Sequence, residues 1–316
     1  MTADRATSSA PRPAAPARDE SAAGVLAIVT AVVIFSLATT MIRKSGSPGV
    51  VVAFWRLVMG TVIWFVVLRV QRHRLNWATV RRVAPLGVLF GANLGLFFAA
   101  VNHTRIANVE FIGAMSPVIV VPVAAVVFHE QIATRALAWG ALAVVGVALI
   151  IFAAPGAGER GLTGDLMAAA AVGAWAGYLL LSRRVRATTG VSEVMAVTAL
   201  GASLFLLPFA FASGKAFDVT AEGWAYIAAL ALMTGTAGHG LVLWAQRRIP
   251  VSTISVLTLA QPALATTWAY VFLDESVRPL QVAGMVVVLL ALLAFTRSAT
   301  RPVASEGHGE LGGTPG

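Results

Sequence analysis

Hydrophobic residues gather into ten runs along the chain, roughly 22–43, 48–69, 83–102, 107–128, 134–153, 162–182, 190–212, 223–245, 251–272 and 280–296. Each approaches the ~20 apolar residues that a helix needs to cross a bilayer. Strand-period alternation is absent, which argues against a membrane β-barrel. The connections are short and hold turn-forming residues: Ser47-Pro48-Gly49, Pro155-Gly156-Ala157-Gly158 and Pro250. The pattern predicts an all-α membrane protein with ten transmembrane helices.

Composition agrees with this. Of 316 residues, 58% are hydrophobic and 12% charged, against about 25% charged in a soluble domain. The expected partner is therefore the lipid bilayer. The net charge of +9 comes from basic residues in short clusters between apolar runs. That arrangement fits the loops of a membrane protein and not a nucleic-acid surface. With no cysteine, disulfides, thiolate metal sites and cysteine nucleophiles are excluded. Residues 1–21 and 298–316 read as disordered tails, and the first of these lacks the apolar core of a signal peptide. Threading ten spans with both termini inside places sixteen Lys and Arg on the cytoplasmic side and six outside, with Arg56 left within a span. Both termini are therefore expected in the cytoplasm, and the chain in a bacterial-type inner membrane. The Arg43-Lys44 pair runs against this locally.

The runs repeat. SPVIVVPVAAVVFHE (116–130) and QPALATTWAYVFLDE (261–275) each place a proline thirteen residues before a glutamate: Pro117 with Glu130, and Pro262 with Glu275. GVLAIVTAVVIFSLATTMIRK (24–44) aligns with GDLMAAAAVGAWAGYLLLSRR (164–184), matching Gly24 to Gly164. The fifth and tenth runs each carry an early glycine, Gly140 and Gly284. Two five-helix repeats follow, 22–155 and 161–297. Five is odd, so the second repeat enters from the opposite side. Inverted repeats of this kind are typical of secondary transporters, with the site near the midplane between the halves.

The stretches 106–150, 164–184 and 234–295 resemble the drug/metabolite transporter superfamily in its ten-helix form, built from two EamA-type domains. The resemblance covers nearly all of the chain except its tails. It implies movement of small metabolites, amino acids or drugs across the cytoplasmic membrane, often outward. It also implies an arginine in the second helix at the position of Arg56.

Candidate site residues are the polar and aromatic ones inside spans. Pro117 and Pro262 each remove a helical hydrogen bond and should release the carbonyls of Gly113 and Thr258 toward protein or a wet cavity. Ser116 and Gln261 stand beside these breaks. Arg56 lies nine residues past Ser47, about 13 Å deep, where a charge needs a partner or water. Glu110 is the candidate partner for a structural pair, and a substrate anion is the alternative. Trp175 and Tyr178, one turn apart, could stack on substrate or simply pack. Asn93 could contact substrate. His239 could do so or carry a proton, and could equally make a helix-to-helix hydrogen bond. Gly91, Gly95, Gly235 and Gly238 point to close packing or hinge motion. Glu130 and Glu275 read as helix-end anchors.

The competing classes fare worse. Ser203 sits in Gly201-Ala202-Ser203-Leu204, only half of a nucleophile turn. Clustered carboxylates for a metal, an HExxH motif and a phosphate-binding G-x-x-x-x-G-K-[ST] loop are all missing from the sequence. No cofactor is therefore expected. A channel would favour rings of like polar groups, which are not visible. The expected function is a secondary transporter of small molecules, an exporter working by alternating access, with Arg56, Asn93, Ser116, Trp175, Tyr178, His239 and Gln261 at the substrate. Proton coupling and oligomeric state are left open.

Overall fold

The computed structural model of the chain describes residues 18–104, 106–130, 133–153, 161–273 and 277–299. Glu275 and most of the 155–161 loop lie outside them, as do nearly all residues of both tails. Among the described residues every regular element is helical. In chain order they are α1 (Arg18–Ser36), α2 (Ala38–Lys44), α3 (Gly49–Val70), α4 (Trp77–His103), α5 (Ile106–Gly113), α6 (Ser116–Phe128) and α7 (Thr134–Phe152). The second repeat comprises α8 (Leu162–Arg186), α9 (Val191–Ala212), α10 (Ala221–Leu230), a π-helix (Ala231–Gly238), α11 (His239–Ala245), α12 (Val251–Leu257), a 3-10 turn (Thr258–Ala260), α13 (Gln261–Leu273) and α14 (Pro279–Ala299). Nine described stretches are long and apolar enough to cross a bilayer, although Asp19–Lys44 and Val109–Phe128 each contain a turn and Ala221–Ala245 contains a π-helix. The expected ninth span, 251–272, differs: it is built of α12, the 3-10 turn and α13.

Helix boundaries depart from the apolar runs where capping chemistry extends them. The first helix starts at Arg18, inside the stretch expected to be tail. Asp19 and Glu20 occupy its first turn, where negative charge meets the positive end of the helix dipole. Similarly, α4 begins six residues before the apolar run. The Asn76 side chain accepts a hydrogen bond from the Thr79 N–H at 2.7 Å, an N-cap that satisfies an otherwise orphaned donor.

Within lipid, helices gain little from hydrophobic exclusion of one another, so association depends on close packing by small residues. The chain follows this rule. On α4 and α9, Gly87 and Gly201 meet so closely that a Cβ on Gly87 would lie 2.8 Å from the Gly201 Cα. Gly91 and Gly95 pack on Ala202 and Leu206 of α9. At the α7–α14 crossing, a Cβ on Gly284 would lie 2.7 Å from the Gly146 carbonyl oxygen. The glycine of α7 at this crossing is Gly146, whereas Gly140 faces Val256 at an ordinary 3.8 Å. Large apolar side chains such as Leu26, Val66, Val126, Leu166, Leu204 and Leu290 remain exposed, and these form the surface that lipid covers.

The repeat is visible in equivalent contacts. A Cβ on Gly24 would meet Ile249 Cγ2 at 2.9 Å, and one on Gly164 would meet Thr104 Cβ at 2.7 Å. Ile249 and Thr104 occupy equivalent turns, just before the ninth and fourth spans. In each repeat, then, the glycine opening the first helix packs on the other repeat's turn before its fourth helix.

Candidate functional site

Both prolines start new helices. Pro117 is the second residue of α6, and Ala114–Met115 form a turn that separates α5 from α6. Pro262 is the second residue of α13, after the 3-10 turn. Proline suits a first helical turn because the N–H it lacks would have no intrahelical partner there. The two broken spans touch close to their interruptions: Ser116 Oγ, at the start of α6, lies 3.3 Å from Ser255 Oγ, on α12 one turn before the 3-10 break. One expectation is corrected here. The Thr258 carbonyl is not released, because the Gln261 N–H donates to it, tightening the break into a 3-10 turn.

A cavity of about 150 Å³ opens at these breaks, roughly ten times the room a single water needs. Glu110, Gly113 and Ser116 border it from the fourth span, and Thr258, Gln261 and Pro262 from the ninth. Arg56, Asn93, Trp175 and His239 complete its polar and aromatic wall, with Phe35, Phe97, Phe98 and Thr234. Asn93 Nδ2 donates to the Ala171 carbonyl at 2.9 Å, tying α4 to α8.

Six of the seven residues selected from the sequence thus share one cavity. Tyr178 does not line it. Its ring stacks on Trp175 with centroids 5.5 Å apart and lies 4.9 Å from Phe90. Three residues along a helix rotate a side chain by about 60° relative to its neighbour above, enough to turn Tyr178 from the cavity into the α4 interface. Pro117 is buried beside the break but does not border the space.

Arg56 is 3% exposed and its Nε has no hydrogen-bond partner. Its guanidinium carbon lies 6.0 Å from the Phe98 ring centre. Among the described residues Glu110 accepts one hydrogen bond, from Thr39 Oγ1 at 3.3 Å. The Arg56–Glu110 pair expected from the sequence is not formed: among the described residues no ion pair joins them, although both border the cavity. Thr39 went unnoticed in the sequence, although SLATTM places consecutive hydroxyls inside the first span.

His239 follows the π-helix directly. Threonine hydroxyls there bond backbone carbonyls, Thr234 to Leu230 at 2.8 Å and Thr236 to Ala231 at 2.9 Å. Together with Gly235 and Gly238, they weaken regular α-helical winding. Trp64 Nε1 reaches the Gly235 carbonyl at 3.5 Å. The His239 ring sits 4.7 Å from both Phe35 and Phe90 and 5.8 Å from Trp175, and its Nδ1 has no partner. Single π segments inside α-helices frequently mark functional sites.

At the C-terminal ends of α8 and α11, polar contacts tie the helices together. Gln246 Nε2 donates to the Leu179 carbonyl and to Ser182 Oγ. Arg186 bonds the Leu243 and Thr189 carbonyls, and Arg183 bonds the Ile249 carbonyl at 3.0 Å. Glu130 accepts from the Val251 and Ser252 N–H groups and from Ser252 Oγ, at 2.9, 3.2 and 2.6 Å. It therefore caps the helix that opens the other repeat's broken span.

Similar proteins fit this picture. The threonine/homoserine exporter RhtA of Escherichia coli K12 is 28% identical over 272 residues, covering 83% of this chain and 85% of that protein. The pseudopaline exporter CntI of Pseudomonas aeruginosa UCBPP-PA14 is 25% identical over 280 residues, covering 87% and 96%. A solved crystal structure matches with a TM-score of 0.73 at 19% identity, covering 88% of this chain and 98% of its own, and shares the fold. The EamA-like transporter family matches residues 22–152 and again 162–297. The chain belongs to that family and is a multi-pass membrane transporter, not an enzyme.

Proposed function

We propose that the chain is a secondary exporter that binds a small polar metabolite in the central cavity and releases it by alternating access between two five-helix repeats, 22–155 and 161–297. The observation that carries this reading is the cavity's place at the meeting of two proline-broken helices, one from each repeat. Broken helices near mid-span are where transporters build substrate sites. The exporter names of the relatives, for threonine and homoserine and for pseudopaline, support small polar cargo and outward direction.

With both termini in the cytoplasm, as the basic asymmetry favours, the polar contacts of Gln246, Arg183, Arg186 and Glu130 form the cytoplasmic seal. The cavity then belongs to an outward-facing or occluded state. Opening the seal while closing the outer side would present the same residues to the cytoplasm. Glu110 and His239 are the titratable side chains bordering the cavity through which proton coupling would act. The test is efflux: cells expressing the chain are loaded with candidate amino acids and related metabolites. Exporter function requires that one of them appear outside, chemically unchanged, faster than from cells lacking the chain. Chemical conversion of the compound in place of export would contradict the reading.

A further inference from the structure

We infer that the cavity selects a zwitterion, with Arg56 holding the ligand's anionic group and Glu110 its cationic group. The inference rests on the reading of this cavity as the transport site. Arg56 on α3 and Glu110 on α5 are 3% and 8% exposed, and both border the same space. Among the described residues, neither has a charged partner. Arg56 Nε is unpartnered, and the Thr39 hydroxyl is the one described donor to Glu110. A charge within a span is costly unless it is paired or hydrated. Two opposite charges that border a shared cavity without pairing are satisfied together by one molecule that brings both complements.

Solutes with fewer charges fit less well. A purely anionic solute would leave Glu110 uncompensated and close to the added negative charge. A purely cationic one would leave Arg56 uncompensated. A neutral solute would compensate neither. A guanidinium forms planar two-pronged contacts with a carboxylate, and a carboxylate accepts well from an ammonium group. The rest of the ligand would lie against Trp175 and Phe98, with Asn93 and Gln261 available to polar substituents.

The test uses purified full-length protein in proteoliposomes. Each common L-amino acid is compared with its N-acetyl form, which is anionic, and its amide, which is cationic, for binding and for counterflow. At least one amino acid is expected to bind about tenfold or more tightly than both of its derivatives, the loss expected for a missing charge-assisted contact. Glu110→Gln should abolish the preference over the N-acetyl form while keeping the preference over the amide. Arg56→Gln should do the reverse. This reciprocal pattern is not produced by a general loss of folding, because each variant retains one preference. The inference is overturned if no amino acid outcompetes its derivatives, or if Glu110→Gln leaves both preferences intact. Counterflow of a singly charged or neutral solute, with no zwitterion preference, would overturn the inference while leaving the transporter reading in place. Absence of export of every solute in the cell assay would instead remove the exporter reading.

Discussion

Ser116 Oγ and Ser255 Oγ lie 3.3 Å apart, joining the interruption of the fourth span to the helix that leads into the interruption of the ninth. Because these spans belong to different repeats, the contact links the two repeats within one turn of both backbone breaks. Helix breaks absorb changes in direction at less cost than continuous helices, so in the proposed alternating-access cycle the repeats would move against each other at this junction.

Replacing the prolines should stiffen that junction. Alanine restores a backbone donor at each break and favours continuous helix. Pro117→Ala and Pro262→Ala are each expected to insert normally and to slow efflux by about tenfold, equivalent to roughly 1.4 kcal/mol of barrier. Pro208 lies inside the otherwise continuous α9 and serves as control. Equal effects of all three substitutions on initial efflux rates would remove any special role for the paired breaks.

Glu130 caps the N-terminus of α12 with three hydrogen bonds. Glu130→Ala should lower stability by roughly 1–2 kcal/mol, the range for a lost helix cap, seen as a lower unfolding midpoint in detergent. Glu130→Gln should recover only part of that loss, since its single amide oxygen replaces two accepting carboxylate oxygens.

The α7–α14 crossing leaves no room for a methyl group at Gly284, where a Cβ would lie 2.7 Å from a backbone oxygen and 2.9 Å from the Ile150 backbone nitrogen. Gly284→Ala should destabilise the protein by about 1–3 kcal/mol, as overpacking does. At Gly173 a Cβ would have no neighbour within 4 Å, so Gly173→Ala should be neutral or stabilise by roughly 0.5–1 kcal/mol through helix propensity. Thermal unfolding of the two variants side by side checks the contrast.

Orientation is open to direct labelling because the chain has no native cysteine. Ala187 follows α8 and Lys215 follows α9, and both are exposed. In intact cells an impermeant thiol reagent should label Lys215→Cys, and should label Ala187→Cys after permeabilisation alone. The opposite pattern would invert the proposed topology.

Much of this architecture was legible in the sequence because its signals are local. Apolar runs of bilayer length, prolines at matched positions and a repeated glycine are read without knowing any contact. A kink in the ninth span followed from Pro262, but its division into α12, a 3-10 turn and α13 did not. What escaped was rotation about helix axes. Trp175 and Tyr178 look alike in the sequence, yet one borders the cavity and the other packs on Phe90. Arg56 and Glu110 were matched because each was a lone buried charge, and complementarity of charge says nothing about distance. The π-helix before His239 depends on several weak effects, two threonine back-bonds and two glycines, none decisive alone. The partner of Glu130 lies 121 residues away at Val251, beyond any local pattern.

The most direct test of the transport route fills the cavity without disturbing the fold. Gly113 borders the cavity, and a Cβ there would meet Phe97 Cε2 at 3.9 Å, an ordinary contact, with no other neighbour within 4 Å. Gly113→Leu therefore adds a side chain to the free space. With wild-type unfolding temperature and membrane abundance confirmed, efflux of the exported metabolite should fall to the level of cells lacking the chain. Wild-type efflux through stable, abundant Gly113→Leu would contradict the account, since the substrate would then be crossing by a route other than this cavity.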